Sequence, residues 1–203
     1  MVSRSTAPVN TNISASLIAP STLHTDRLVL RRPYASDAVD VFARYAGDPE
    51  VTRFLGWRTH VSVVETQQFL AYCDAEWRQS GVGPYLIHLR ENGELLGSAS
   101  IRLVSSQQAA AGYILAREAW GQGYATEALH AMRGLALRLG VLRLTAMCHP
   151  EHQASMRVMQ KCGFIREGLL RGYTQFPNLA PGVAADVLSY SFVFDTDWQP
   201  LVI

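Results

Sequence analysis

The chain has 203 residues, 48% of them hydrophobic, and its 18 Lys+Arg against 17 Asp+Glu leave a formal net charge of +1. That length supports one domain with a sizeable core, and the composition excludes a disordered chain. The balanced charge argues against a broad basic face for nucleic acid, and no window reaches the apolar length of a membrane span. Cys73, Cys148 and Cys162 are odd in number and form no CxxC pair, which reads as free thiols in a reducing compartment. Residues 1–20 lack a basic end followed by an unbroken apolar core. They read as a flexible tail rather than a signal peptide, leaving one domain at 21–198 and a cytoplasmic protein.

Arg27 to Arg31 alternates polar and apolar residues, so it predicts a half-buried strand stopped by Pro33. Ser36 or Asp37 caps a first helix through Tyr45, ended by Gly47-Asp48-Pro49. A second helix fits Val61 to Gln79, capped by Thr59 or Ser62. After Gly81-Val82-Gly83-Pro84 the period changes to two. Tyr85 to Leu89 and Leu95 to Leu103 read as strands joined at Asn92-Gly93, a hairpin signal because both residues tolerate positive φ. Ala109 to Leu115 continues the meander. A helix then runs to about Leu139, with Gly140 suited to the C′ position. Val141 to Cys148 is strand-like, Glu151 to Lys161 a short helix, and Phe164 to Tyr173 and Val183 to Phe194 the last strands. The order β-α-α-β-β-β-α-β-α-β-β predicts an α+β fold: a mixed, mostly antiparallel sheet flanked by helices, with one βαβ-like passage.

That passage carries the most informative residues, Trp120-Gly121-Gln122-Gly123-Tyr124-Ala125-Thr126-Glu127-Ala128. A glycine loop feeding a helix N-terminus is an anion trap, because orphan N–H groups and the positive end of the helix dipole coincide. The spacing fits neither a P-loop, which needs Gly-Lys, nor a dinucleotide fingerprint, which needs a third glycine where Thr126 stands.

The loop does resemble the (Q/R)-x-x-G-x-(G/A) segment of the GNAT superfamily of N-acetyltransferases, with Gly123 and Ala125 at the small positions and Trp120 as a departure. Its W-G-x-G-Y-A-T-E-A form is similar to the branch of ribosomal-protein alanine N-acetyltransferases (RimJ/RimL-like). Three further segments resemble that branch in the same order: Leu23 to Arg31, His152 to Ser155 with Lys161-Cys162-Gly163-Phe164, and Asp186 to Ser191.

The resemblance implies acetyl transfer from acetyl-CoA to an amine, on a protein N-terminus or a small molecule, without a covalent enzyme intermediate or a metal. It places the pyrophosphate on Gly121, Gln122, Gly123, Tyr124, Ala125 and Thr126, and the pantetheine beside Ile114 and Leu115, where two strands splay. The family's tyrosine acid is replaced by Met159, so Ser155 is the expected proton donor. His152 takes the place of an Asn that contacts the cofactor. The branch's glutamate base is replaced by Ala110. Glu167, Asp186 and Glu118 remain as candidates for it, each equally readable as a structural or surface carboxylate. Glu127 reads as supporting the helix dipole, and Cys162 as core. Phe54 and Trp57 either shape the acceptor pocket or pack under the second helix. A homodimer is common among such folds. The losses at Ala110, Met159 and His152 leave a second reading open, a catalytically degenerate acyl-CoA sensor.

Overall fold

A computed structural model describes residues 18–194. Eight strands form one sheet in the order β1-β2-β3-β4-β5-β6-β8-β7. They are β1 (Thr22–His24), β2 (Leu28–Arg31), β3 (Pro84–Leu89), β4 (Leu95–Leu103), β5 (Gln108–Leu115), β6 (Arg143–Cys148), β7 (Ile165–Gln175) and β8 (Ala184–Val193). Every neighbouring pair is antiparallel except β5 and β6, which are parallel. The helices are α1 (Ala38–Val41), α2 (Pro49–Thr52), α3 (Val63–Ser80), α4 (Tyr124–Arg138) and α5 (Gln153–Lys161). This is the expected mixed α+β architecture, with β1 and α2 added.

The additions have local causes. β1 completes a hairpin with β2, in which Leu23 pairs with Leu30. Pro49 sits at the first position of α2, where a missing N–H costs nothing, and the Asp48 carboxylate accepts the Glu50 N–H at 2.8 Å. The first helix is not one element. It begins as a 3-10 turn at Ala35–Asp37, becomes α1, and ends in a π turn at Phe42–Ala46 that buries Tyr45. For α3 the cap is Ser62, which accepts the Glu65 N–H, while Glu65 accepts the Val61 N–H at 2.9 Å. Gly81, at φ +70°, ends that helix. Of the expected tail, Ala19 and Pro20 join the body instead. Ala19 is buried and donates to Gly81 O, and Pro20 O accepts the Tyr85 hydroxyl at 2.7 Å. Residues 1–17 and 195–198 lie outside the described residues.

Two clusters bury the sheet. β3 is apolar on both faces, so Tyr85 and Ile87 join α4, whereas Leu86 joins Val41 and Tyr45 from the other side. The buried stripe of α4 is Ala128, Leu129, Met132, Leu135 and Ala136, a helical period. Leu129, Met132 and Leu135 are wholly inaccessible, and each contributes about 1.5–3 kcal/mol on burial. Cys162 belongs to this core as expected, its thiol pushed up to about 11 by burial. At the β4 bulge a Cβ on Gly97 would lie 2.1 Å from the Ile114 carbonyl oxygen, so only glycine lets β4 reach β5 there.

Candidate active site

The loop between β5 and α4 is built to leave donors free. Gly121 and Gly123 adopt φ +74° and +82°, and Gly123 is the N-cap of α4 with no side chain to cap it. The first-turn N–H groups of α4 therefore face solvent at the positive end of a 15-residue helix. Trp120 fastens the loop by donating its indole N–H to Leu115 O at 2.8 Å. That anchor explains the departure at position 120.

Two residues before the meander secure the other side. Glu127 accepts from the Thr25 hydroxyl at 2.6 Å and the Arg27 N–H at 2.9 Å, and pairs with the Arg27 guanidinium at 2.7 Å. Burial works against its charge, yet these bonds prevail and hold the carboxyl below the usual range. Glu127, expected to support the helix dipole, thus also clamps the β1–β2 turn to α4. Arg27 also donates to Gln122 O and lies over the Tyr124 ring, which puts a cation beside the free donors. Nothing in the sequence spacing signalled Arg27, because its partners lie about a hundred residues away.

The strands beside the loop splay. Pairing of β5 with β6 runs only through Gln108↔Arg143, Ala109↔Leu144 and Ala110↔Thr145. Gln108 and Ala116 both turn their backbone groups to the β4 side. By alternation Ile114 does the same, while Tyr113 and Leu115 face β6. Past Ala110 they have no ladder partner there, and the Leu115 carbonyl is taken by Trp120. The free backbone edge thus lies at Tyr113 and the Leu115 N–H. Ile114 lines the cavity, and its backbone groups turn toward β4.

The splay opens a cavity of about 370 Å³. Ser155, from the first turn of α5, lines it and is 8% exposed. Its hydroxyl lies 2.8 Å from the Tyr113 hydroxyl, which also donates to Ser155 O at 3.1 Å. Burial drives the Tyr113 phenol well above its ordinary value, only partly offset by the Ser155 bond, so it stays protonated. Burial likewise pushes the neighbouring Cys148 thiol up to about 11, which leaves it inert at neutral pH.

The far wall is aromatic. Phe54 and Trp57 both line the cavity, joined by Tyr173 and Phe176 from the β7 end. Trp57 also stacks on Phe69 of α3, so it serves pocket and packing together. Phe54 stacks on His152 at 4.8 Å and on His149 at 5.1 Å. Asn178 holds this wall in place: its amide donates to Thr52 O at 2.8 Å and Trp57 O at 2.9 Å, and its carbonyl accepts the Thr59 N–H. His152 lines the cavity as well, and burial, with His149 nearby, keeps its imidazole below the ordinary value.

The carboxylates go elsewhere. Glu167 pairs with Arg143 and accepts the Ser191 hydroxyl, which places it in a surface network. Asp186 accepts the Gly172 N–H at 2.8 Å, pinning the irregular stretch of β7. Neither lines the cavity, nor does Glu118, and among the described residues no carboxylate does. No group of three His, Cys, Asp or Glu among those residues forms a metal site, and no described helix is long and apolar enough to cross a membrane.

Comparison with known proteins agrees with this geometry. A family model described as an acetyltransferase (GNAT) domain matches residues 27–165. The uncharacterized N-acetyltransferase YoaA of Bacillus subtilis (strain 168) is 30% identical over 174 residues, covering 84% of this chain and 96% of that protein. The uncharacterized N-acetyltransferase p20 of Bacillus licheniformis is 29% identical over 175 residues, covering 85% and 96%. Among solved structures, a RimL ribosomal-protein acetyltransferase in complex with coenzyme A superposes with TM-score 0.74 at 25% identity, covering 89% and 99%. RimJ of Mycobacterium smegmatis with a CoA-disulfide gives 0.71 at 26%, covering 85% and 84%. With a family match over most of its length and a sheet that splays beside a glycine loop, the chain belongs to the GNAT acetyltransferase family.

Proposed function

We propose that this acetyltransferase moves an acetyl group from acetyl-CoA to a primary amine, with Ser155 handing a proton to the departing sulfur. One observation carries the reading. The uncapped N-terminus of α4, the free edge of β5 and the Ser155–Tyr113 hydroxyl pair lie in a row along one splayed seam. Such a seam suits a ligand with an anionic end, an amide-bearing arm and a thioester tip. The N–H groups from Gly121 to Thr126, with Arg27 beside them, fit the pyrophosphate. The backbone groups of Tyr113 and the Leu115 N–H fit the amides of the arm. When bound, the thioester supplies an activated acyl group. The protein supplies orientation, N–H donors for the carbonyl oxygen, and a hydroxyl for the sulfur.

Ser155 is suited to that last task because its hydroxyl accepts from or donates to Tyr113 while bordering the cavity. Tyr113 stays protonated and steadies the serine hydroxyl. The acceptor enters from the aromatic side, between Phe54, Trp57 and Phe176. Calorimetry with acetyl-CoA and a thiol-release assay over small amines and N-terminal peptides test the reading. Binding in the micromolar to low-millimolar range with steady thiol release is expected; absence of binding refutes it.

The sensor reading draws on the lack of a carboxylate lining the cavity among the described residues. Binding of acetyl-CoA without thiol release from any amine would establish it instead.

A further inference from the structure

An amine acetyltransferase must take a proton from its acceptor, yet the carboxylates expected to do so are committed elsewhere. Glu167 is tied to Arg143 and Ser191, and Asp186 to the β7 backbone. The titratable groups that do border the cavity are Tyr113, Tyr173, Cys148 and His152. Burial raises the Tyr113 phenol and the Cys148 thiol, which disqualifies both as proton acceptors near neutrality. Tyr173 brings a phenol, a hydrogen-bonding group rather than a base.

We propose that His152 is the general base, taking the proton of the acceptor amine as its nitrogen attacks the thioester. This rests on the transferase reading above. Three features of the geometry support it. His152 caps the start of α5, one turn before Ser155, so proton acceptor and proton donor project from the same helical face into one cavity. Its ring makes no hydrogen bond among the described residues and is held only by stacking on Phe54, which leaves its nitrogens free. It also stands at the junction of the hydroxyl pair and the aromatic acceptor wall.

The groups around it keep it neutral. His149, in the turn before α5, stacks on the same Phe54 ring, and Arg53 lies 5.1 Å from that ring's centre. Burial, and after it the neighbouring His149, disfavour an imidazolium at His152. Among the described residues no carboxylate lines the cavity to counteract this. The proton count closes as follows. The nitrogen lone pair forms the N–C bond, and the C–S electron pair leaves with sulfur. The nitrogen's surplus proton goes to the imidazole, sulfur takes a proton through Ser155, and the imidazolium replaces that proton through solvent in the open cavity. Amine plus thioester becomes amide plus thiol.

The attacking nitrogen must be neutral, and the acidity of the acceptor's ammonium sets how much of it is. An α-amino group, with a pKa of about 7.7–8.0, supplies more neutral amine at pH 7 than a lysine-type ammonium near 10.4. The probes are therefore phenylalaninamide and phenethylamine, which share an aromatic body and differ in ammonium acidity. With acetyl-CoA at pH 7, the wild-type chain is expected to favour phenylalaninamide at least tenfold. His152→Gln should lower kcat about 100-fold with acetyl-CoA Kd within twofold, and its residual rate should climb log-linearly with pH. His152→Ala should recover rate on addition of imidazole, which a purely packing role would not allow. A histidine resonance lost in His152→Gln should titrate below the ordinary imidazole range, a readout independent of turnover. Wild-type activity with an unchanged pH profile in His152→Gln overturns the assignment of the base alone. Acetyl-CoA binding without turnover by the wild-type chain overturns the assignment together with the transferase reading.

Discussion

Gly123→Ala separates what the glycine loop does for the fold from what it does for a ligand. Gly123 sits at φ +82°, and a Cβ there would meet only the Arg27 guanidinium, at 3.4 Å, the far end of a flexible side chain. The fold therefore loses little packing. Placing an L-residue in the left-handed region costs about 1–2 kcal/mol, and the stiffer unfolded chain returns roughly 0.4–1 kcal/mol. The net loss is about 1 kcal/mol, or about 2–4 °C in Tm for a domain of this size. Gly93, in the β3–β4 turn, is the control, because it has φ +76° and an equally open Cβ position away from the seam. Its alanine variant should show the same Tm loss. The ligand effect should differ. A methyl at Gly123 displaces Arg27 and crowds the free donors, and each lost charge-assisted bond costs about 1.5–3 kcal/mol, roughly 10- to 150-fold in Kd. Scanning fluorimetry gives the two Tm values, and calorimetry with acetyl-CoA gives the two affinities. If Gly123→Ala binds within twofold of Gly93→Ala, the anion site is not at this loop.

Ser155→Ala should reduce kcat about 10- to 100-fold with acetyl-CoA affinity nearly unchanged, and Tyr113→Phe should reduce it less, since Tyr113 acts through Ser155; steady-state kinetics at saturating acceptor checks both. Asn178→Ala removes four hydrogen bonds that tie the aromatic wall to the 176–182 turn. It should cost about 2–3 kcal/mol in urea unfolding and raise acceptor KM while sparing acetyl-CoA Kd. Glu127 has a depressed carboxyl, so its stabilisation is fully present above the unfolded value of about 4.3 and is lost as pH falls through the folded one. Glu127→Gln should therefore lower Tm at neutral pH, with the difference from wild type shrinking below roughly pH 4.3.

Local chemistry made much of the fold readable in advance. The Asn92-Gly93 turn and the Gly140 stop act within four residues and formed where the spacing placed them, and of the two caps offered for α3, Thr59 and Ser62, Ser62 is the one used. The breaks in the first helix were not readable, because its π turn is held by packing of Tyr45 against Leu86 and Leu95 from distant strands. In the site the same division holds. The glycine loop was legible, since donors and dipole belong to one contiguous stretch. Tyr113 stood in view within Gly112-Tyr113, but its role depends on a serine 42 residues later.

Residue order alone determined most of the element sequence and the glycine loop before α4, because those follow from periodicity, capping and backbone freedom over short distances, and four motif blocks in order carried the family resemblance. Only tertiary structure decided which ionisable side chains border the cavity. Glu167 and Asp186 are removed from the cavity by partners across β6, β7 and β8, while the parallel pairing that ends at Ala110 opens the space into which Ser155 and His152 project. A carboxylate's availability depends on what the sheet register sets beside it, and register between distant strands is a property of the assembled core.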